Sequence, residues 1–247
     1  MEFVKMEGLG NDFVVLDGPL IPTAAQVSAW CDRRRGIGAD GVLVVTPGDV
    51  VEMGYWNADG SAAEMCGNGL RCVALYARLK GMVDTSEFTV KTPIGPRRVI
   101  VRDGSVRAEL GPVQVGEGTV EIAGYRLTKV SVGNPHAVAF VPDCSAVPMA
   151  ASGPLVESDP AFPGRINGGF ATVTGKDRIS LRVWERGVGE TLACGTGAAA
   201  AAAAGHALGL TGESVTVRLP GGELRVELID GSAWIEGPAT VVFAGSL

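Results

Sequence analysis

The chain has 247 residues, 46% of them apolar, with a formal net charge of −6 and a pI near 5.0. That apolar content suffices for buried cores without disulfides or structural metals, and an acidic balance with no basic run excludes the electrostatic footprint of a nucleic-acid binder. Met1-Glu2-Phe3-Val4-Lys5-Met6-Glu7 lacks the apolar core of a signal peptide and the alanine run at 198–204 is too weakly hydrophobic to span a bilayer, so the expectation is a cytoplasmic protein with no membrane partner.

Phe3–Met6 and Phe13–Leu16 read as strands around the turn Gly8-Leu9-Gly10-Asn11-Asp12. A helix opens at Thr23 or just after it and reaches about Cys31, and Val42-Leu43-Val44-Val45 is a buried strand. Between them Arg33–Gly41 reads as a loop whose glycines allow close backbone approach. Val51–Asn57 is a strand, after which a polar loop delivers Cys66 to a helix running to about Lys80. Strands follow at Ile122–Val132, Ala137–Val141 and Ile179–Glu185, with a helix near Val147–Gly153 and another over Ala198–Leu208. Seven successive alanines make the last a strong helix former of almost no bulk, so a sheet can wrap it on all sides and a central buried helix is expected in each half.

The halves are related. Trp56-Asn57 leads to Cys66-Gly67-Asn68-Gly69 as Trp184-Glu185 leads to Cys194-Gly195-Thr196-Gly197, with 194 − 66 = 128 between the cysteines. Phe88-Thr89-Val90-Lys91-Thr92-Pro93 matches Val215-Thr216-Val217-Arg218-Leu219-Pro220, Asp103-Gly104-Ser105 matches Asp230-Gly231-Ser232, and Gly10-Asn11 pairs with Gly133-Asn134. Landmarks in one order at nearly constant offset indicate tandem duplication. The expected fold is therefore α/β (α+β), with two pseudo-symmetric domains at residues 1–112 and 113–238 and a strand in 239–247 that returns to the first.

Each Cys-Gly-polar-Gly motif opens a helix, where unpaired N–H groups and the helix dipole favour negative charge. Such a position lowers a thiol's pKa and makes thiolate available near neutral pH, and the flanking glycines let backbone N–H groups approach a carboxylate. Two such motifs across one small ligand suit inversion of a stereocentre: one thiolate takes the α-proton and the other thiol returns one to the opposite face. The carbanion needs its charge held by preorganised donors, each worth about 10²- to 10³-fold in rate.

These residues resemble the diaminopimelate epimerase family, amino-acid epimerases that work without pyridoxal phosphate. The likeness is carried by Gly8-Leu9-Gly10-Asn11-Asp12-Phe13, Asn57-Ala58-Asp59-Gly60-Ser61, Met65-Cys66-Gly67-Asn68-Gly69-Leu70-Arg71-Cys72, Gly133-Asn134-Pro135-His136, Trp184-Glu185-Arg186-Gly187 and Ala193-Cys194-Gly195-Thr196-Gly197. It implies a mixed, curled sheet around a central helix in each domain, a homodimer, and a small diamino-dicarboxylate substrate handled without any cofactor or metal. Cys66 and Cys194 become the acid–base thiols, and Gly67, Asn68, Gly195 and Thr196 the donors to the reacting carboxylate. Asn11, Asn57, Asn134, Asn167, Glu185 and Arg186 would hold the remaining substrate groups, with His136 and Glu185 tuning the thiols. The activity implied is epimerisation of LL-2,6-diaminoheptanedioate to the meso form, for lysine and peptidoglycan precursors.

The chain departs from the family at two places. Some members carry glutamine where Gly41 stands, and after Asn167 an apolar residue and glutamate are replaced by Gly168-Gly169. Cys31, Cys72 and Cys144 read as small buried hydrophobes, His206 as structural, and the Trp56 and Trp184 pair as duplicated packing. The cysteine spacings form no zinc pattern, and the thiols are expected to be reduced. Competing functions are a proline or hydroxyproline racemase, against which Asn68 and Arg186 argue, and a non-catalytic amino-acid-binding or redox-responsive protein.

Overall fold

The computed structural model describes residues 1–63 and 66–247; Glu64 and Met65, the latter heading the Met65-Cys66 motif, lie outside the described residues. Two compact units are present, Met1–Ala108 with Gly237–Leu247, and Glu109–Glu236. The sequence places the junction at Pro112 because a Gly-Pro pair closes the strand there. The division by packing falls inside that strand, and it leaves Gly237 and Pro238 with the first unit.

In the first unit β1 (Glu2–Gly8) turns into β2 (Asn11–Asp17) through Leu9 and Gly10, whose φ values of 59° and 82° are both in the left-handed region that a tight hairpin needs. Thr23 caps α1 (Ala24–Cys31) in a capping box with Gln26, which fixes the helix start. β3 (Gly41–Thr46) runs parallel to β2, and β4 (Val51–Asn57) antiparallel to β3. After α2 (Gly67–Leu79) come β5 (Glu87–Thr92), parallel to β4, and the antiparallel β6 (Gly95–Arg102) and β7 (Ser105–Pro112). Each parallel step thus carries a helix, as crossover geometry requires.

The second unit contains the short β8 (Gln114–Val115) and β9 (Val120–Ile122), then β10 (Tyr125–Ser131), β11 (Pro135–Phe140), α3 (Met149–Glu157), β12 (Asn167–Gly175), β13 (Arg178–Glu185) and β14 (Gly189–Thr191). α4 (Gly195–Ala207), β15 (Ser214–Leu219), β16 (Gly222–Ile229) and β17 (Ser232–Gly237) follow. The pairings repeat those of the first unit: β10–β11 antiparallel, β11–β12 parallel, β12–β13 antiparallel, β13–β15 parallel, β15–β16–β17 antiparallel. The last strand, β18 (Thr240–Ser246), lies antiparallel to β1 from Glu2 opposite Ser246 to Glu7 opposite Thr240.

Both units place one helix inside a curled sheet. Gly67–Ala74 of α2 are all buried, against β1, β2, β3, β4 and β6. Ala198–Ala204 of α4 are at most 3% exposed, wrapped by β10, β11, β12, β13, β15 and β16. A larger side chain there would overpack at a cost of about 1–3 kcal/mol, so the alanine run is what lets strands surround the helix. α1 and α3 cover the outer faces. Val27 and Cys31 pack with Phe3, Val14, Leu16 and Trp56, and Met149 and Val156 with Leu127, Phe170 and Trp184. The two tryptophans therefore close equivalent outer cores.

Three elements differ from expectation. The strand expected over Ile122–Val132 is two strands, split by Ala123 and Gly124 at φ 52° and 81°. α3 begins after Pro148 and runs through Pro154 to Glu157, later than expected, because Val147, the residue before a proline, is held extended at φ −67° and ψ 124°. β12 is not anticipated at all: its buried Gly168 and Gly169 leave space for Val156, Leu181 and Val138, so no period-2 apolar pattern is written.

Candidate active site

Cys66 and Cys194 are the N-cap residues of α2 and α4. Cys66 has φ −143° and ψ 113°, Cys194 φ −130° and ψ 107°, and each thiol accepts the N–H of the glycine three residues on, from Gly69 at 3.4 Å and from Gly197 at 3.3 Å. The sulfur occupies the place of a capping oxygen. Glycine at that third position leaves the thiol room: a Cβ on Gly197 would crowd its own capping sulfur at 3.2 Å.

Strand register gathers the same set at one edge of each sheet. Phe13 faces Gly41 and Gly41 faces Asn57, which brings Asn11, Gly41 and Asn57 together. His136 faces Asn167 and Trp184 faces Gly168, which brings Asn134, Asn167 and Glu185 together. Asn167 is thus the counterpart of Gly41. A side chain at Gly41 is excluded, since its Cβ would meet the Trp56 carbonyl oxygen at 2.5 Å and Tyr55 at 2.8 Å.

In the first unit the Asn11 amide donates to Asp40 Oδ2 at 2.8 Å, which leaves Oδ1 to accept from Asn68 Nδ2 at 3.3 Å and from Cys66 Sγ at 3.5 Å. Asp40 is held by Arg33 at 2.7 Å, and Arg33 grips Asp12 with two bonds of 3.0 and 2.7 Å. The buried Lys5 completes the cluster, 2.7 Å from Asp12 and bonded to the Gly38 carbonyl. Burial opposes ionisation of Asp12, but the hydrogen bonds and charges of Arg33 and Lys5 overcome it and hold the carboxyl at about 2. Asn57 is exposed and donates to Ser61 at 3.0 Å, in a loop closed by Asp59.

In the second unit Asn134, His136, Thr196 and Cys194 form a hydrogen-bonded chain. His136 Nε2 lies 3.1 Å from Asn134 Oδ1 and 3.0 Å from Thr196 Oγ1, and Thr196 Oγ1 lies 3.5 Å from Cys194 Sγ. Burial, then the charge of Arg186, brings His136 down to about 3, so the ring is neutral at ordinary pH. Cys194 is 5% exposed, and burial raises its thiol well above the ordinary range. The adjacent Glu185 carboxylate pushes the same way, against the lowering bonds of Thr196 and Gly197. The expected effect of the helix terminus is therefore outweighed at Cys194: desolvation of the thiolate costs more than the bonds from Thr196 and Gly197 return. Glu185 is itself fixed by Thr191 Oγ1 at 2.6 Å.

Asn167 and Arg186 meet through the backbone. The Asn167 amide donates to the Pro135 carbonyl at 2.8 Å and accepts the Arg186 N–H at 2.9 Å, so it braces the turn after β13. Arg186 is exposed, with Nη1 on the Gly164 carbonyl at 3.0 Å. The nearly buried Glu157 secures the same turn, accepting from Trp184 Nε1 at 2.7 Å and Gly187 N at 2.8 Å and pairing with Arg165 at 2.6 Å.

Asp40, Arg33, Glu157 and Thr191 are absent from the sequence-based site. Asp40 and Arg33 lie in the segment read as a plain loop; their signal was three charges beside an Asp-Gly strand start. Cys31, Cys72 and Cys144 are buried, and His206 stands exposed in the last turn of α4.

Residues 3–120 and 128–242 match the pattern of the diaminopimelate epimerase family. The chain is 42% identical over 275 residues to the diaminopimelate epimerase of Pelotomaculum thermopropionicum, covering 99% of this chain and 98% of that one. It is 43% identical over 274 residues to that of Desulforudis audaxviator, with the same coverage. Among solved structures, a hydroxyproline epimerase from Agrobacterium vitis superposes with a TM-score of 0.73 at 19% identity, covering 100% of this chain and 90% of that one. A phenazine biosynthesis protein of the PhzF family from Bacillus anthracis superposes with a TM-score of 0.75 at 13% identity, covering 100% and 98%. These two likenesses concern the fold alone.

Proposed function

The chain belongs to the diaminopimelate epimerase family, and from that premise we propose that it converts LL-2,6-diaminoheptanedioate to the meso isomer by two-thiol proton transfer at one α-carbon. The observation that carries this is the matched pair of cysteine N-caps, each with its sulfur on a glycine N–H at the mouth of a buried helix. No group but the chain's own is needed for that step.

The reacting carboxylate is held by the helix ends at Gly67-Asn68 and Gly195-Thr196, whose N–H groups meet the charge that develops on it. One thiolate removes the α-proton and the other thiol protonates the opposite face; in the reverse direction they exchange roles. Cys194 keeps its proton in the resting chain, and Glu185, hydrogen-bonded to that thiol, is where the proton can go when Cys194 acts as base. The neutral His136 orders Thr196 and Asn134 beside it. Asn11 fixes Cys66 and Asn68 in the same way. Arg186 takes the distal carboxylate with its planar fork, Asn167 orients the Arg186 backbone, and Asn57 and Asn134 complete the amide set.

We further place the enzyme in the cytoplasm as a homodimer in lysine and peptidoglycan precursor synthesis. Support for the dimer is β18, paired with β1 and exposing Val241, Val242 and Phe243 at 41%, 54% and 46%. No described helix is long and apolar enough to cross a membrane.

Proton NMR of the LL substrate in D₂O tests the reaction. Loss of the α-proton signal with growth of the meso isomer is expected, abolished in both Cys66→Ala and Cys194→Ala. Exchange that survives in either variant refutes the two-thiol mechanism.

A further inference from the structure

Arg71 is fully buried in the first unit, on the second turn of α2. Its Nε donates to the Pro238 carbonyl at 3.2 Å and its Nη1 reaches the Gly67 carbonyl at 3.4 Å, while Nη2 has no hydrogen-bond partner among the described residues. No carboxylate forms an ion pair with it among the described residues. Burying a guanidinium without a counter-ion carries a heavy desolvation penalty, so a residue that persists in that state is a candidate for function.

Helical side chains lean toward the helix N-terminus, and the bond to Gly67 shows this one doing so, toward the turn that Cys66 caps. Gly8, in the strand leading to Asn11, leaves it room: a Cβ there would stand 3.0 Å from Nη2. Among the described residues three groups feel the charge, Cys72, Cys66 and Glu7. Cys72 is completely buried and burial keeps its thiol neutral. Glu7 is occupied with the Gly10 N–H at 2.8 Å. Among the described residues the half-buried Cys66 is the remaining group able to gain a charge there.

We infer that Arg71 is a positioning residue for Cys66: its guanidinium, clamped to the Gly67 and Pro238 carbonyls beneath the first turn of α2, supplies the positive charge that compensates the Cys66 thiolate. Cys66 thus has a fixed internal cation, whereas Cys194 has the Glu185 carboxylate at the equivalent helix end. The two thiols are made unequal by their neighbours although their backbones are alike.

This role presupposes that Cys66 exchanges protons with substrate, but its test needs no substrate, so a chain inactive on the diamino acid would leave the outcome readable. The pH dependence of iodoacetamide alkylation at Cys66 is followed by peptide mass spectrometry in the intact protein, with folding checked by circular dichroism. Arg71→Gln keeps donors for the carbonyls and removes the charge; Arg71→Met removes both; Arg71→Lys keeps the charge. In the Gln and Met variants the alkylation midpoint is expected to rise by about one unit or more, with alkylation at pH 7 slowed about tenfold. Arg71→Lys is expected to restore most of the shift. A folded Arg71→Gln with the parent midpoint overturns the inference, as does a Lys variant shifted as far as Gln. If Arg71→Met fails to fold, the Gln and Lys pair decides alone.

Discussion

Gly197→Ala separates the capping geometry of Cys194 from general stability. The added methyl would stand 3.0 Å from Val183 Cγ2, 3.2 Å from Cys194 Sγ and 3.3 Å from Cys194 Cβ, against ordinary contacts of about 3.5–4.0 Å. Several tenths of an ångström must therefore be yielded. Val183 is fully buried in β13, so the thiol, which turns about a single bond, gives way and its 3.3 Å bond to the Gly197 N–H is lost. Alanine gains about 1 kcal/mol over glycine in a helix, the lost cap costs about 1 kcal/mol, and overpacking about 1–3 kcal/mol. The net loss of about 1–3 kcal/mol lowers Tm by about 3–10 °C. The catalytic effect is larger than stability alone explains. The N–H that lowers the thiol's pKa is gone, and misplacement of a reacting atom approaching 1 Å costs about 10²-fold, so kcat should fall about 10- to 100-fold. Initial rates of α-proton exchange by NMR and Tm by circular dichroism are measured on one preparation, beside Leu224→Ala. That buried control in β16 should lose about 2–5 kcal/mol with its kcat intact. A Gly197→Ala enzyme with kcat within twofold of the parent would refute the capping argument.

Two further outcomes are expected. Asp40→Ala removes the acceptor of the Asn11 amide and a partner of Arg33; with about 1 kcal/mol per lost bond, KM and kcat together should worsen about 5- to 10-fold. Asp40→Asn, which retains an acceptor, should recover most of that, and equal loss in both variants would mean that charge rather than orientation matters. His136 titrates at about 3 in the fold against 6.5 unperturbed. Between those values the unfolded chain binds the proton and the folded chain does not, so the stability this ring contributes is full above 6.5 and falls as pH drops toward 3. His136→Gln should flatten the dependence of Tm on pH in that window, read by calorimetry from pH 7 to 4; an unaltered slope would assign the acid sensitivity elsewhere.

The two thiols, the asparagines and the duplication were legible from residue order, because helix-opening Cys-Gly-polar-Gly motifs and their fixed spacing are local signals. Local signals also placed most strands and both central helices. They failed at β12, where glycines remove the apolar alternation, and at Ala123-Gly124, where two positive φ values hide a hairpin. Only the tertiary structure decided the electrical state of the site. Burial sets whether Cys194 keeps its proton and whether His136 is neutral, and it removes the Arg71 guanidinium from water. Asp40 aims Asn11, and Asn167 is committed to Pro135 and Arg186, through contacts made across 29, 32 and 19 residues of sequence. Desolvation and hydrogen-bond direction depend on what surrounds an atom in space, and spacing along the chain carries neither.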